Sequence, residues 1–433
     1  MAARPSQAAT LLAAFRQSQL QRRLLVTLLA LVVFRLGAHV PLPGINTGVI
    51  QSLFNKQTTI FALLNLFSGG ATATFSLFAL SIIPYINASI IMQLMTVVIP
   101  QVEEWSKEGE EGYKQITKWT RYGTVALGLL QSAGVSYYLS RYSVNGVSAF
   151  QHSGIFPIIL TAALLTVGTL ILMWVGEQIT DKGIGNGISL LVFFGIVARL
   201  PFAVGQIIQF ITAGVVTIPT LIIFGVIGIL IVAGVVFVTE GYRKITIQYP
   251  KRVVGRRMFQ GGQSHLPIRV NQAGVIPVIF AISLLILPNT IAQFVNTSWT
   301  TWLSTYFNIT SPAYIVVEFL LVVVFTFFYT QVVFKPDDVA DNLKKAGGFI
   351  PGIRPGQPTA DFLSRVSMRL TWVGAIFLGV VAIMPSFAVM AIPVNSILYF
   401  GGTSLLILVG VALDMLKQIQ AQLLMRNYQG FMQ

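Results

Sequence analysis

The sequence predicts an all-α polytopic membrane protein of ten transmembrane helices, with one extra half-helix buried among them. Three observations predict it. Of 433 residues, 55% are hydrophobic and only 10% are charged, a balance foreign to soluble domains and outer-membrane barrels. Apolar windows of ~20 residues, the length that crosses a bilayer, recur near 24–40, 75–99, 119–139, 155–175, 188–204, 218–238, 275–295, 314–334, 370–390 and 397–416. Threading ten spans puts 24 of the 28 Lys and Arg residues on one side, leaving only Arg35, Lys56, Arg141 and Arg199 on the other. The positive-inside rule then places both termini in the cytoplasm.

The elements follow in order. Residues 1–23 form a cytoplasmic lead-in. Leu11, Leu12, Phe15 and Leu20 share one helical face, which suits an interfacial helix or an ordinary charged approach to the first span. That span follows Arg22 and Arg23 without a small-residue cleavage site, so it reads as a retained helix and not a removed signal peptide.

The stretch 60–100 carries no charge but is broken early by Ser68, Gly69 and Gly70. It reads as a short apolar helix, a glycine break, then a full span from about Phe75 to Ile99. The short piece cannot sit in lipid with frayed ends, because each unsatisfied backbone group there costs several kcal/mol. It must fill an interior.

Two cytoplasmic loops are long, 240–272 and 335–369. In the first, Lys244 to Tyr249 alternate strictly before Pro250, and Arg256 to Phe259 follow, the pattern of a β-hairpin. The second opens on a polar helical segment, 337–345. It becomes GGFIPGIRPGQP over 347–358, too rich in Gly and Pro for helix or strand. Pro355 biases Arg354 to an extended backbone, which holds its guanidinium on a stiff exposed loop. Ten spans divide into halves, 24–205 and 206–416, with 417–433 as a cytoplasmic tail. This parity allows an inverted repeat.

Several chemistries lack their residues. The chain has no cysteine and three scattered histidines, so no metal site is expected. No phosphate-binding loop or dinucleotide fingerprint is present, and no cofactor or enzymatic activity is expected. The run from Gly183 to Gly187 reads as a tight turn between two helices. Of fourteen acidic residues only Glu318 lies well inside a span; close to the trans boundary, it is expected to snorkel. Ion-coupled transporters carry more intramembrane charge, although ten spans and a broken helix leave a secondary transporter as the alternative. Ile82 and Ile86 share a helical face, a pattern of ordinary packing or of a pore lining.

Seven passages then carry a resemblance: PLPGI (41–45), NLFSGG (65–70), PYINASIIMQL (84–94), WVGEQITDKGIGNGIS (174–189), GRRMFQGGQSHLPIRVNQAGVIPVIF (255–280), NLKKAGGFIPGIRPGQPTA (342–360) and YFGGTSLLILV (399–409). Along essentially its whole length the chain resembles the SecY family, the central subunit of the bacterial protein-conducting channel. The resemblance implies two inverted five-helix halves around an hourglass pore, through which unfolded secretory polypeptides cross and hydrophobic segments leave sideways into lipid. It makes 60–72 the plug, with Asn65, Leu66, Phe67, Ser68, Gly69 and Gly70 at its end. The constriction ring maps onto Ile82, Ile86, Val192, Ile279 and Ile407; valine at 192 departs from the usual isoleucine. Stiff β-branched side chains give an ion no ligand, and a narrow apolar constriction resists wetting.

The lateral gate is expected between the second and third spans and the seventh and eighth. Asn87 and Gln131 are expected to hydrogen-bond each other there and tune opening. Arg256, Arg257 and Arg354 match the basic surface that docks the SecA motor ATPase and the rRNA of the ribosome. The implied partners also include the small subunits SecE and SecG, signal sequences, unfolded preproteins and membrane lipid. The implied location is the inner (plasma) membrane; a thylakoid membrane is the other setting the sequence allows.

Overall fold

The apolar windows become helices, and most helices outrun their windows. The computed structural model describes residues 18–56, 60–144, 146–152, 154–214, 217–250, 252–254, 257–259, 262–294, 306, 308–391 and 401–429. The ten predicted spans correspond to α1 (Ser18–Gly37), α4 (Ile83–Val98), α6 (Glu110–Arg141), α7 (Ile155–Lys182), α8 (Gly187–Thr212), α9 (Ile218–Glu240), α10 (Ile276–Phe294), α11 (Pro312–Val333), α13 (Gln357–Ala391) and α14 (Gly402–Gln429). Shorter helices lie between them: α2 (Thr47–Lys56), α3 (Ile60–Phe67), α5 (Pro100–Lys107) and α12 (Pro336–Lys345). Six of the described helices are long and apolar enough to cross a membrane by themselves, and α4 with α5 makes a pair bent by 100°. The residues 11–17 of the expected interfacial helix lie outside the described residues; Leu20 is buried with Ile184.

Local chemistry sets the helix starts. Pro84 sits in the first turn of α4, where its missing N–H costs nothing. Asn186 caps α8 by accepting from the N–H groups of Ile188 and Ser189, as an N-cap amide should. The 183–187 segment is therefore the tight turn expected.

The second span needs a correction. It was expected to run from about Phe75, but residues 71–82 are a chain of turns and the helix begins at Ile83. Phe75 and Ser81 take left-handed φ values of 46° and 56°, uncommon for residues with a side chain. Side chains satisfy this backbone inside the protein. Thr72 Oγ1 donates to the Ala79 carbonyl at 2.7 Å and Ser81 Oγ to the Phe67 carbonyl at 3.1 Å.

The helices pack as two groups, α1, α4, α6, α7 and α8 in one and α9, α10, α11, α13 and α14 in the other. Among the described residues the groups meet chiefly where α10 lies on α4 and α6, and where α14 lies on α8. The first long loop forms a ribbon. After the small hairpin of β1 (Ser143–Val144) and β2 (Val147–Ser148) that follows α6, strand β3 (Tyr242–Gln248) of this ribbon pairs antiparallel with β6 (Gln263–Arg269), and at the tip β4 (Arg252–Val254) pairs with β5 (Arg257–Phe259). The expected hairpin is present, but the long strand's partner is 263–269, because 257–259 closes locally on 252–254.

Candidate functional site

The half-helix α3 ends in a built cap. The Gly70 N–H reaches back to the Asn65 carbonyl at 3.1 Å and the Gly69 N–H to that of Leu66 at 3.4 Å. With Gly69 at φ +65° this is a Schellman motif. Its end lies backbone-on-backbone against α8: a Cβ on Gly195 would stand 2.7 Å from the Phe67 carbonyl oxygen. Residues Asn65, Leu66, Phe67, Ser68, Gly69 and Gly70 are all buried. The interior position inferred from helix length is the one observed.

Five aliphatic residues are buried in the same core as its end. Ile82 precedes α4 and Ile86 follows one turn later; Val192 comes from α8, Ile279 from the first turn of α10 and Ile407 from α14. Each is at most 5% exposed, and all five join one apolar cluster with Leu64, Leu66, Phe67 and Ala71. These five β-branched residues come from four separate elements of both helix groups, and the end of the half-helix is part of the same apolar core.

The expected gate pair needs a correction, and so does Glu318. Asn87 and Gln131 are buried at 1% and 3% exposure, yet both polar atoms of the Asn87 amide, and Nδ's counterpart Nε2 of Gln131, have no hydrogen-bond partner. The expected amide pair is absent. The helices explain why. A Cβ on Gly123 of α6 would meet that of Ala88 of α4 at 3.3 Å, so these two positions are level. On antiparallel helices rising 1.5 Å per residue, Gln131 then lies about 10 Å along the axis from Asn87. Glu318 does not snorkel either; it is 3% exposed. It shares a face of α11 with Tyr314, Val322 and Phe325, all buried, and that face packs inward. Sequence reasoning also passed over Tyr329, which stacks edge-on with Phe280 of α10 at 5.4 Å and lies beside the Gln93 amide of α4.

At the base of the ribbon a cavity of about 430 Å³ opens between the groups, lined by Asn186, Arg269, Gln272, Asp414 and Lys417 among others. Lys417 pairs with Glu240 at 2.8 Å. Arg354 is exposed on its Gly-Pro loop as expected. Arg256 lies outside the described residues, and Arg257 begins β5, of which the backbone alone is described. On the opposite side Arg35 of α1 donates to the Gly69 carbonyl at 3.1 Å, a contact the sequence reading missed. The signal was available: a trans-side arginine without nearby acids must find carbonyl acceptors.

The arrangement is a two-group helical body, a re-entrant half-helix and an apolar cluster at the junction. The SecY family profile matches residues 76–416. The chain belongs to the SecY family. It is 46% identical to the protein translocase subunit SecY of Streptomyces galbus, over 97% of this chain and 98% of that one. It is also 46% identical to the SecY subunit of Bacillus subtilis (strain 168), over 96% and 97%. Among solved structures, one described as "The structure of a protein conducting channel" matches with TM-score 0.64 and 17% identity, covering 94% of this chain and 93% of that chain. Another, "Sec61 in the Canine ribosome-channel complex from the endoplasmic reticulum", matches with TM-score 0.62 and 17% identity over the same shares. The fold is thus that of a multi-pass SecY-family membrane protein, and the secondary-transporter alternative has no support.

Proposed function

We propose that this chain is the protein-conducting subunit of a translocase, passing unfolded polypeptides across the membrane and releasing hydrophobic segments into lipid. One observation carries the reading: Ile82, Ile86, Val192, Ile279 and Ile407 meet in a single apolar cluster with the half-helix seated in it. A ring of aliphatic side chains closes around any passing chain without binding a particular residue, and excludes ions by staying dry. The half-helix is the plug. The seam where α10 lies on α4 and α6 is the lateral gate, and Asn87 is its weak point because its amide is buried without a partner.

The exposed Arg354 and the basic tip holding Arg256 and Arg257 form the docking surface for SecA and for rRNA. Arginine suits both, through bidentate contacts to carboxylate or phosphate. SecE and SecG complete the complex. The protein works in the bacterial inner membrane with both termini in the cytoplasm, and it carries out no chemistry of its own. The test is reconstitution. Vesicles holding this chain with SecE, SecG and SecA should protect a preprotein from added protease only with ATP. Equal protection without this chain contradicts the proposal.

A further inference from the structure

Two arginines grip the turn that ends the half-helix. Arg35 Nη1 in α1 donates to the Gly69 carbonyl at 3.1 Å. Arg199 in α8 lies against the next residue, since a Cβ on Gly70 would stand 2.6 Å from its Nε. Its guanidinium carbon sits 4.8 Å from the centre of the Phe202 ring, and its buried Nε has no hydrogen-bond partner. The two guanidiniums thus lie against consecutive residues of one turn. Neither joins an ion pair among the described residues.

The sequence explains this solitude. Thirteen of the fourteen acidic residues fall in cytoplasmic loops or at cytoplasmic helix ends, and the other, Glu318, belongs to the opposite helix group. No carboxylate is at hand, so the arginines face what the half-helix offers. That is a helix C-terminus, the end that carries partial negative charge, and the free carbonyl of Gly69. Lifting the half-helix away takes the Gly69 carbonyl from Arg35 and the helix C-terminus from both arginines.

We propose that Arg35 and Arg199 form a trans-side latch that holds α3 in its seat and raises the threshold for opening. The proposal rests on reading α3 as the plug. Gly70 belongs to the latch as well. It lacks a side chain because Arg199 occupies that space, and its φ of +100° disfavours any residue with a Cβ.

The chain has no cysteine, so a single Ser68→Cys reports the seating of the half-helix through its rate of labelling by a trans-side maleimide. The assay uses the full reconstituted complex without substrate, and ion permeability is read on the same vesicles. With Arg35→Gln, labelling is expected to accelerate about tenfold, the effect of one lost charge-assisted hydrogen bond, and resting permeability to rise with it; Arg199→Gln removes a charge packed on Gly70 but no hydrogen bond to it, and is expected to accelerate labelling by less. Arg35→Lys keeps the charge but loses the fork; it gives an intermediate rate and serves if Arg35→Gln fails to assemble. Deletion of residues 61–68 separates the two ideas. A leaking deletion beside Arg35→Gln and Arg199→Gln complexes that label and seal like the parent overturns the latch alone. A deletion that seals normally overturns the plug reading on which it rests.

Discussion

Gln248 and Phe349 exchange two backbone hydrogen bonds, each 2.9 Å long. They join two long loops a hundred residues apart in the chain. Around this bridge Ile245, Ile268, Ile350, Leu363 and Val366 form a small separate core. The ribbon and the Gly-Pro loop that displays Arg354 are therefore one body. Phe349→Pro removes the donor at the bridge and should loosen that body by about 1–3 kcal/mol. Protease cleavage near Arg354 is expected to speed up while the membrane helices remain protected.

Arg354→Glu is predicted to leave membrane insertion of the complex intact and to block motor-driven translocation. The side chain is exposed, so its loss costs little stability, whereas reversing its charge opposes a carboxylate-bearing partner. Preprotein secretion and SecA binding, measured on the same vesicles, check this; normal secretion by the variant contradicts it.

At the gate, Asn87→Leu is predicted to tighten the seam. It removes a buried amide with both polar atoms unpartnered, and each such group costs about 1–3 kcal/mol. Gln131→Leu acts separately, because the two amides do not meet. Their effects should therefore add, and preproteins with the weakest signal sequences should fail first. An unchanged dependence on signal strength contradicts this.

Ile407→Asp should wet the ring. Ile407 is fully buried in the apolar cluster, and an ionised carboxylate there draws water with it. Resting ion conductance is expected to rise sharply. Ile407→Ala should instead cost about 2–5 kcal/mol of stability through the cavity it leaves, with a smaller leak.

The spans were legible in the sequence because hydropathy reports partition into lipid, and each predicted window overlaps a helix. Where α6, α13 and α14 run on into water, hydropathy falls silent and helix propensity takes over, so their ends were missed. The turns of residues 71–82 were missed for a related reason. Apolar residues buried in protein look the same as apolar residues in a spanning helix, and only the polar partners of Thr72 and Ser81 reveal the difference. The grouping of Ile82, Ile86, Val192, Ile279 and Ile407 was available only through the family resemblance, since four distant elements share no local pattern; the structure buries all five in one core. Glu318 and the Asn87–Gln131 pair were misjudged because helix rotation and axial offset are set by packing, which one sequence does not display.

The most direct test of the channel reading is crosslinking from a translocation intermediate. A photo-reactive residue placed at Ile82 or Ile279 is compared with one at Ile222, which is 60% exposed on the outer face of α9. With a preprotein arrested halfway through the reconstituted complex, the account predicts strong crosslinks to the polypeptide from Ile82 and Ile279 and none from Ile222. Crosslinks of equal strength from all three positions, or from Ile222 alone, would contradict it.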